Sequence, residues 1–277
     1  MNYLQIEFET LKADESDMLI ALLSEAGFGD FEEKENTLLA YVKEDGFMED
    51  SLNEALRIVP VNYTITVVAE QNWNAQWERS FEPILVMDAG RESPWVAIRA
   101  DFHQPVPHVL HEIIITPKMS FGTGHHATTY LMIEQMQQLD VKGKTVLDFG
   151  TGTAVLAILA EKMGAVTIDA IDYDQWSINN AQENLAANNC SAITLIKDET
   201  IATGNVYDIL LANINLNVIN DNITAIKAAG KKQGFILLSG FLKSDEWQMQ
   251  QVLIENGIHP IKTRQKLDWI CILAQFN

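Results

Sequence analysis

Apolar and polar residues alternate along Tyr3-Leu4-Gln5-Ile6-Glu7-Phe8, which predicts a strand with one buried face. Over residues 14–26 the period lengthens, and Met18, Leu19, Leu22 and Leu23 form a helical stripe that Gly27 stops. Short strands are predicted near 28–34 and 37–42, an acidic helix near 48–57, and another strand at 63–68. Strand, helix, strand, strand, helix, strand is the order of a ferredoxin-like domain. From Thr145 onward the pattern changes to strands alternating with helices. Strands are predicted at 145–149, 166–171, 192–196, 208–212, 235–239 and 267–274, and helices at 153–162, 174–188, 216–228 and 244–256. Such alternation implies an α/β fold, a doubly wound and mostly parallel sheet covered by helices on both faces.

Between these halves, Trp73 and Trp77 sit four apart on one face of a short predicted helix. Pro83, Pro94, Pro105 and Pro107 then cut the chain into short extended pieces. This stretch reads as a connector, with the tryptophans either packing between domains or lining a ligand site. The expected division is a ferredoxin-like domain at 1–69, a connector at 70–104 and the doubly wound domain at 105–277.

Composition narrows the function. The chain has 277 residues, 47% hydrophobic and 21% charged, enough to bury the cores of two domains. Nineteen basic residues against 38 acidic ones give a net charge of −19. That charge disfavours direct nucleic-acid binding, which draws on Lys and Arg. Residues 1–60 alone hold fifteen acids and four bases, a net of −11, suited either to gripping a basic protein or to solubility. Two cysteines make no disulfide framework. The acidic N-terminus is no signal peptide, and the longest apolar run, near 154–160, is about seven residues, too short for a membrane span. A soluble, cytoplasmic, monomeric protein is expected. His125 and His126 lack a further ligand at suitable spacing, and His111-Glu112 has no partner histidine at 115, so no metal is expected.

The chemistry concentrates at Val146-Leu-Asp-Phe-Gly-Thr-Gly-Thr-Ala154. A strand ends beside Asp148, and a turn through Gly150 and Gly152 opens a helix, so backbone can approach a ligand near the helix's positive end. A dinucleotide fingerprint would place a third glycine at 155, where Val155 stands. Asp172 ends the next strand and is placed beside this turn, where its carboxylate suits the two hydroxyls of a ribose; Asp174 is the better helix cap. In Ala212-Asn-Ile-Asn-Leu216, Asn213 stands at the carboxyl edge of the sheet, able to accept a hydrogen bond from an amine, whereas Asn215 fits a helix cap. Upstream, Phe121-Gly-Thr-Gly-His-His-Ala-Thr-Thr129 reads as a glycine loop closing over a cofactor, with Thr128 and Thr129 at a helix start.

Together these segments resemble the bacterial ribosomal-protein lysine methyltransferases of the PrmA type, over nearly the whole chain. The resemblance implies a class I methyltransferase domain with a seven-stranded sheet and an antiparallel last strand. It also implies S-adenosylmethionine as cofactor, and a basic protein of the large ribosomal subunit as partner. Cofactor contacts are implied at Thr129, Gly150, Asp172 and Asn213. Phe121, Thr128, Asp148 and Gly152, from the same loop and turn, complete the candidate set, and Asn213 is the candidate for positioning acceptor and cofactor. The chain departs from the family pattern at His125 and Ala127 and at Ala154, where a glycine is usual; a methyl there is placed to crowd the cofactor. Two alternatives remain, a class I methyltransferase with another acceptor and a nucleotide-binding module without chemistry. Against planar-nitrogen acceptors, Asn213-Ile-Asn-Leu216 lacks their Asn-Pro-Pro-Tyr pattern.

Overall fold

The computed structural model describes residues 3–9, 13–34, 37–68, 82–88, 93–116 and 126–277. Trp73, Trp77 and the segment Phe121 to His125 lie outside the described residues. The chain divides into two compact units, Met1–Arg79 and Ser80–Asn277.

The first unit runs β1 (Tyr3–Glu9), α1 (Ala13–Glu25), β2 (Asp30–Lys34), β3 (Thr37–Lys43), α2 (Glu49–Ile58) and β4 (Tyr63–Val68). Its sheet has the order β2-β3-β1-β4 with every neighbouring pair antiparallel, the ferredoxin-like arrangement that the element order implied. Alternation on β1 buries Leu4, Ile6 and Phe8 against Leu19 and Leu23 of α1 and Leu52 and Ala55 of α2. Met18, expected in the helical stripe, is half exposed instead. Gly27 ends α1 with φ of +90°, a conformation that favours glycine.

The second unit opens with a three-stranded sheet, β5 (Ile84–Met87), β6 (Pro94–Arg99) and β7 (His111–Ile114). Two of these strands come from the stretch read as connector; Pro94 starts its strand, where a missing N–H costs least. Next come α3 (Ala127–Met136), β8 (Thr145–Phe149), α4 (Val155–Lys162), β9 (Thr167–Asp172), α5 (Gln175–Ala187) and β10 (Ile193–Lys197). The chain finishes with β11 (Tyr207–Asn213), α6 (Leu216–Ala229), β12 (Gly230–Leu242), α7 (Glu246–Glu255), β13 (Ile258–Lys266) and β14 (Trp269–Phe276). The large sheet has the order β10-β9-β8-β11-β12-β14-β13, parallel except for β14, which is antiparallel to both neighbours. Helix α4 is apolar on all sides from Val155 to Ala160, and all six residues are buried, as befits a helix at the centre of a sheet face. β13 was not predicted; its run is largely polar and holds Pro260, and it is an edge strand whose register shifts between Pro260 and Lys262.

Two polar clusters fasten the second unit. At the amino edge of the large sheet, Asp208 Oδ2 accepts from Thr145 N (2.9 Å), Thr145 Oγ1 (2.8 Å) and Lys231 Nζ (2.9 Å), tying the starts of β8, β11 and β12. Partial burial alone would raise the Asp208 pKa, but the Thr145 and Lys231 donors outweigh it and hold it at about 2. Asn184 of α5 and Asn188, which caps its C-terminus, lie one turn apart and stitch the small sheet to the large one's helix layer. Asn188 accepts from Ile114 N (2.9 Å) and donates to Ile114 O (2.6 Å), acting as a strand partner for the end of β7. Fully buried Asn184 accepts from Thr116 N (2.8 Å) and donates to Thr153 O (2.9 Å).

Truncating Asn184 to alanine removes the partner of a part-buried amide at Thr116 and of a buried carbonyl at Thr153. Asn184→Ala is therefore expected to destabilise the second unit by about 2–4 kcal/mol. Urea denaturation followed by tryptophan fluorescence checks this; a midpoint equal to the wild type would show that the stitch is dispensable.

Candidate functional site

Strands β8, β9 and β11 point the same way, so their last residues meet along one edge of the sheet. The turn after β8 folds over the end of β9: Gly150 N and Thr151 N both donate to Ile171 O at 2.9 Å. Gly152 N donates to Asp172 Oδ2 at 2.9 Å, and Asp174 N donates to Asp172 Oδ1 at 3.0 Å. The turn's amides are thus held by the neighbouring strand, and they shape the cavity wall through backbone position. Gly150 has φ of +77°, and a Cβ there would lie 2.2 Å from Ile214 Cγ2, so a larger residue would be strained and would displace Ile214. Asp174 and Asn215 cap α5 and α6 through Ser177 N (2.9 Å) and Val218 N (3.0 Å), which leaves Asp172 and Asn213 free of that duty, as expected.

An open cavity of about 1000 Å³ lies along this edge. Of the candidates, Thr129, Gly150, Gly152, Asp172 and Asn213 line it together. Asn213 Nδ2 donates to Thr129 Oγ1 at 3.3 Å. Asn213 Oδ1 is left buried with no hydrogen-bond partner among the described residues. A buried acceptor without a donor carries a desolvation cost that a bound N–H or O–H would remove.

Two candidates stand behind the wall. Thr128 is fully buried and pairs with His126 Nδ1 at 2.8 Å, beneath the start of α3. Asp148 is 1% exposed and turns under α4, where Oδ2 accepts from Thr151 Oγ1 (2.7 Å) and Ala157 N (3.2 Å). Burial pushes its pKa up to about 6, against the pull of those two donors and with a small contribution from Asp172. Ala154 sits at the start of α4 with φ of +62°, fully buried in the core and away from the cavity lining. Its methyl therefore does not crowd a ligand; its consequence is a strained backbone position.

Among the lining residues outside the candidate set, Asp198, His126 and Trp269 carry polar or aromatic side chains of interest. Asp198 follows β10 as Asp172 ends β9, and the same strand-end signal would have found it. His126 lies at the start of α3, and its ring meets the edge of Trp269 at 4.6 Å. Trp269 reaches the cavity because β14 runs antiparallel and so begins where the parallel strands end. Among the described residues no three His, Cys, Asp or Glu side chains converge as metal ligands would. Glu112 instead holds the buried Arg99, which keeps its carboxyl below the usual range.

The family described as ribosomal protein L11 methyltransferase (PrmA) matches residues 8–277. A ribosomal protein L11 methyltransferase of Phocaeicola vulgatus is 35% identical over 282 residues, 98% of each chain. One from Porphyromonas gingivalis is 36% identical over 287 residues, 98% of this chain and 97% of that one. Among solved structures, a ribosomal protein L11 methylase of Lactobacillus delbrueckii subsp. bulgaricus superposes with a TM-score of 0.63 at 27% identity, over 71% of this chain and all of that one.

The Asp148 carboxyl yields a pH prediction. Its folded-state pKa lies above the unfolded value of 3.8, so the stability it contributes is full below that value and is lost as pH rises through about 6. At neutral pH the buried charge costs on the order of 3 kcal/mol. Asp148→Asn can keep the Thr151 and Ala157 bonds without the charge. Its melting temperature is expected to gain on that of the wild type as pH rises from 4 to 7 (roughly the span of the two pKa values). A pH-independent difference in calorimetric scans would refute this.

Proposed function

The chain belongs to the ribosomal protein L11 methyltransferase (PrmA) family, and on that premise we propose that it transfers the methyl group of S-adenosylmethionine to amine nitrogens of ribosomal protein L11, on lysine side chains and the N-terminal amine. The cofactor supplies an electrophilic methyl on a sulfonium. The observation that carries the assignment is the orphaned Asn213 Oδ1 at the cavity wall, with its amide nitrogen bonded to Thr129. That oxygen takes an N–H of the cofactor's amine or of the acceptor and so helps to line up nucleophile and methyl.

Asp172 receives the ribose. Each of its oxygens already holds one backbone N–H, and each keeps a lone pair for a hydroxyl. Gly150 and Gly152 let the chain pass close to the ligand, while Asp148 and Thr128 support the wall from behind. An acceptor lysine must arrive neutral from a pKa near roughly 10.4, so exclusion of water from the slot favours the reactive form. No side chain is assigned as base; the proton leaves to solvent.

Residues 1–69 act as the recognition domain in this reading, and 105–277 as the catalytic one. The net −11 of residues 1–60 attracts a basic acceptor and speeds encounter. The protein works as a monomer in the cytoplasm, without direct nucleic-acid contact. Among the described residues no helix is long and apolar enough to cross a membrane.

Tritium from labelled S-adenosylmethionine is expected to appear on purified L11, and no incorporation would refute the acceptor assignment. Asp172→Ala, which loses the ribose partner, should weaken cofactor binding at least about tenfold by calorimetry. Unchanged affinity would remove Asp172 from the site. Added salt should lower kcat/KM for L11 steeply, since exposed charges are screened beyond roughly 8 Å, and leave cofactor affinity nearly constant. A flat salt profile would assign the N-terminal charge to solubility.

A further inference from the structure

The cavity follows the carboxyl edge of the sheet from β10 across β9, β8, β11 and β12 to β14, six adjacent strands. At roughly 4.8 Å per strand this spans about 24 Å. The proposed ribose partner Asp172 is on β9, and the orphaned amide of Asn213 is two strands further on. Beyond Asn213 the wall continues through Gly240 of β12 to Trp269 of β14. That end is bounded by the β13–β14 hairpin, whose two-residue loop is Leu267 and Asp268.

Leu267 is unusual in two independent ways. It is 77% exposed at the tip. It also has φ of +55°, in the left-handed region where a two-residue hairpin favours Asn, Asp or Gly. Neither burial nor turn geometry accounts for a leucine at this position. The tip is nevertheless firmly placed. Lys243 N donates to Asp268 O at 2.8 Å, and Trp269 pairs in register with Leu242, itself 40% exposed. Two exposed leucines therefore flank the tryptophan of the cavity wall, Leu267 in the loop two residues before it and Leu242 on the strand paired with it. Two lysines of the flanking segments are engaged: Lys266 Nζ lies 3.2 Å from the centre of the Tyr130 ring, and Lys243 is paired with Glu246. Asp268 remains exposed at the tip.

We propose that this hairpin tip is the acceptor-side rim of the site: Trp269 walls the slot that the target amine enters, and Leu267 with Leu242 seats an apolar residue flanking that amine on the acceptor protein. The occupant is a cationic segment of the acceptor, chosen because the rim is continuous with the orphaned-amide end of the cavity and Asp268 is exposed at its tip. The inference rests on the methyl-transfer reading given above and adds the surface that meets the acceptor outside the slot.

The test uses the full-length protein, with S-adenosylmethionine and purified L11. Leu267→Gly removes the side chain and relieves the left-handed backbone, and Leu267→Met keeps an apolar side chain. The glycine variant should melt no earlier than the wild type and bind the cofactor with unchanged affinity. Its KM for L11 should rise roughly tenfold, the effect of losing one covered leucine. The methionine variant should restore most of the wild-type KM. A KM for the glycine variant within about twofold of the wild type overturns the rim, as does a KM rise matched by lost cofactor affinity or one that the methionine variant shares in full. Absence of transfer by the unmodified protein overturns the acceptor assignment itself, and the rim with it, so the two failures are distinguishable.

Discussion

One carboxylate holds the working edge of the sheet in shape. Asp172 accepts Gly152 N on one oxygen and Asp174 N on the other, so the glycine turn, the end of β9 and the start of α5 are joined at a single side chain. The turn cannot slide outward without losing a charge-assisted bond, and the helix after β9 cannot shift without losing its partner. The cavity exists because these three segments are fixed together while the next strand, β11, ends level with them. Asn213 then faces the same space from the other side of the turn.

The spacing across this edge is set by Ile214. A Cβ at Gly150 would meet its Cγ2 at 2.2 Å, and a Cβ at Gly240 would meet its backbone oxygen at 2.3 Å. Both glycines have positive φ, +77° and +99°. The residue after Asn213 is therefore clasped between two bare backbones, one from the turn after β8 and one from β12. Close packing of this kind fixes Asn213 to the sheet more firmly than its single bond to Thr129 would.

Much of this edge was legible because parallel strands give a simple rule: the residue at the end of each strand reaches the same place. Asp172 and Asn213 obeyed it, and the competing explanation, helix capping, was removed by better caps at Asp174 and Asn215. Periodicity says less about which way a residue faces when helix and strand meet. Asp148 stands one residue before the end of its strand and two before the first glycine, but strand alternation puts it on the same face as Val146, under α4. Thr128 and Thr129 are adjacent on a helix with 3.6 residues per turn, so only one of them can face the cavity. Trp269 was hidden for another reason. Its strand was predicted, but β13 was not, because an edge strand needs no apolar alternation, and without that hairpin the tryptophan had no assigned edge.

The opposite edge of the same sheet carries the Thr145, Asp208 and Lys231 cluster, and it contains none of the cavity residues. The sheet is thus an object with two ends under separate control. Substitutions at the amino end alter how tightly the strand starts are gathered, while the carboxyl end keeps its geometry through Asp172 and Ile214. A chain built this way has room to drift in durability without drifting in chemistry, and the amino end is the place to engineer a hardier protein without disturbing what the other end does.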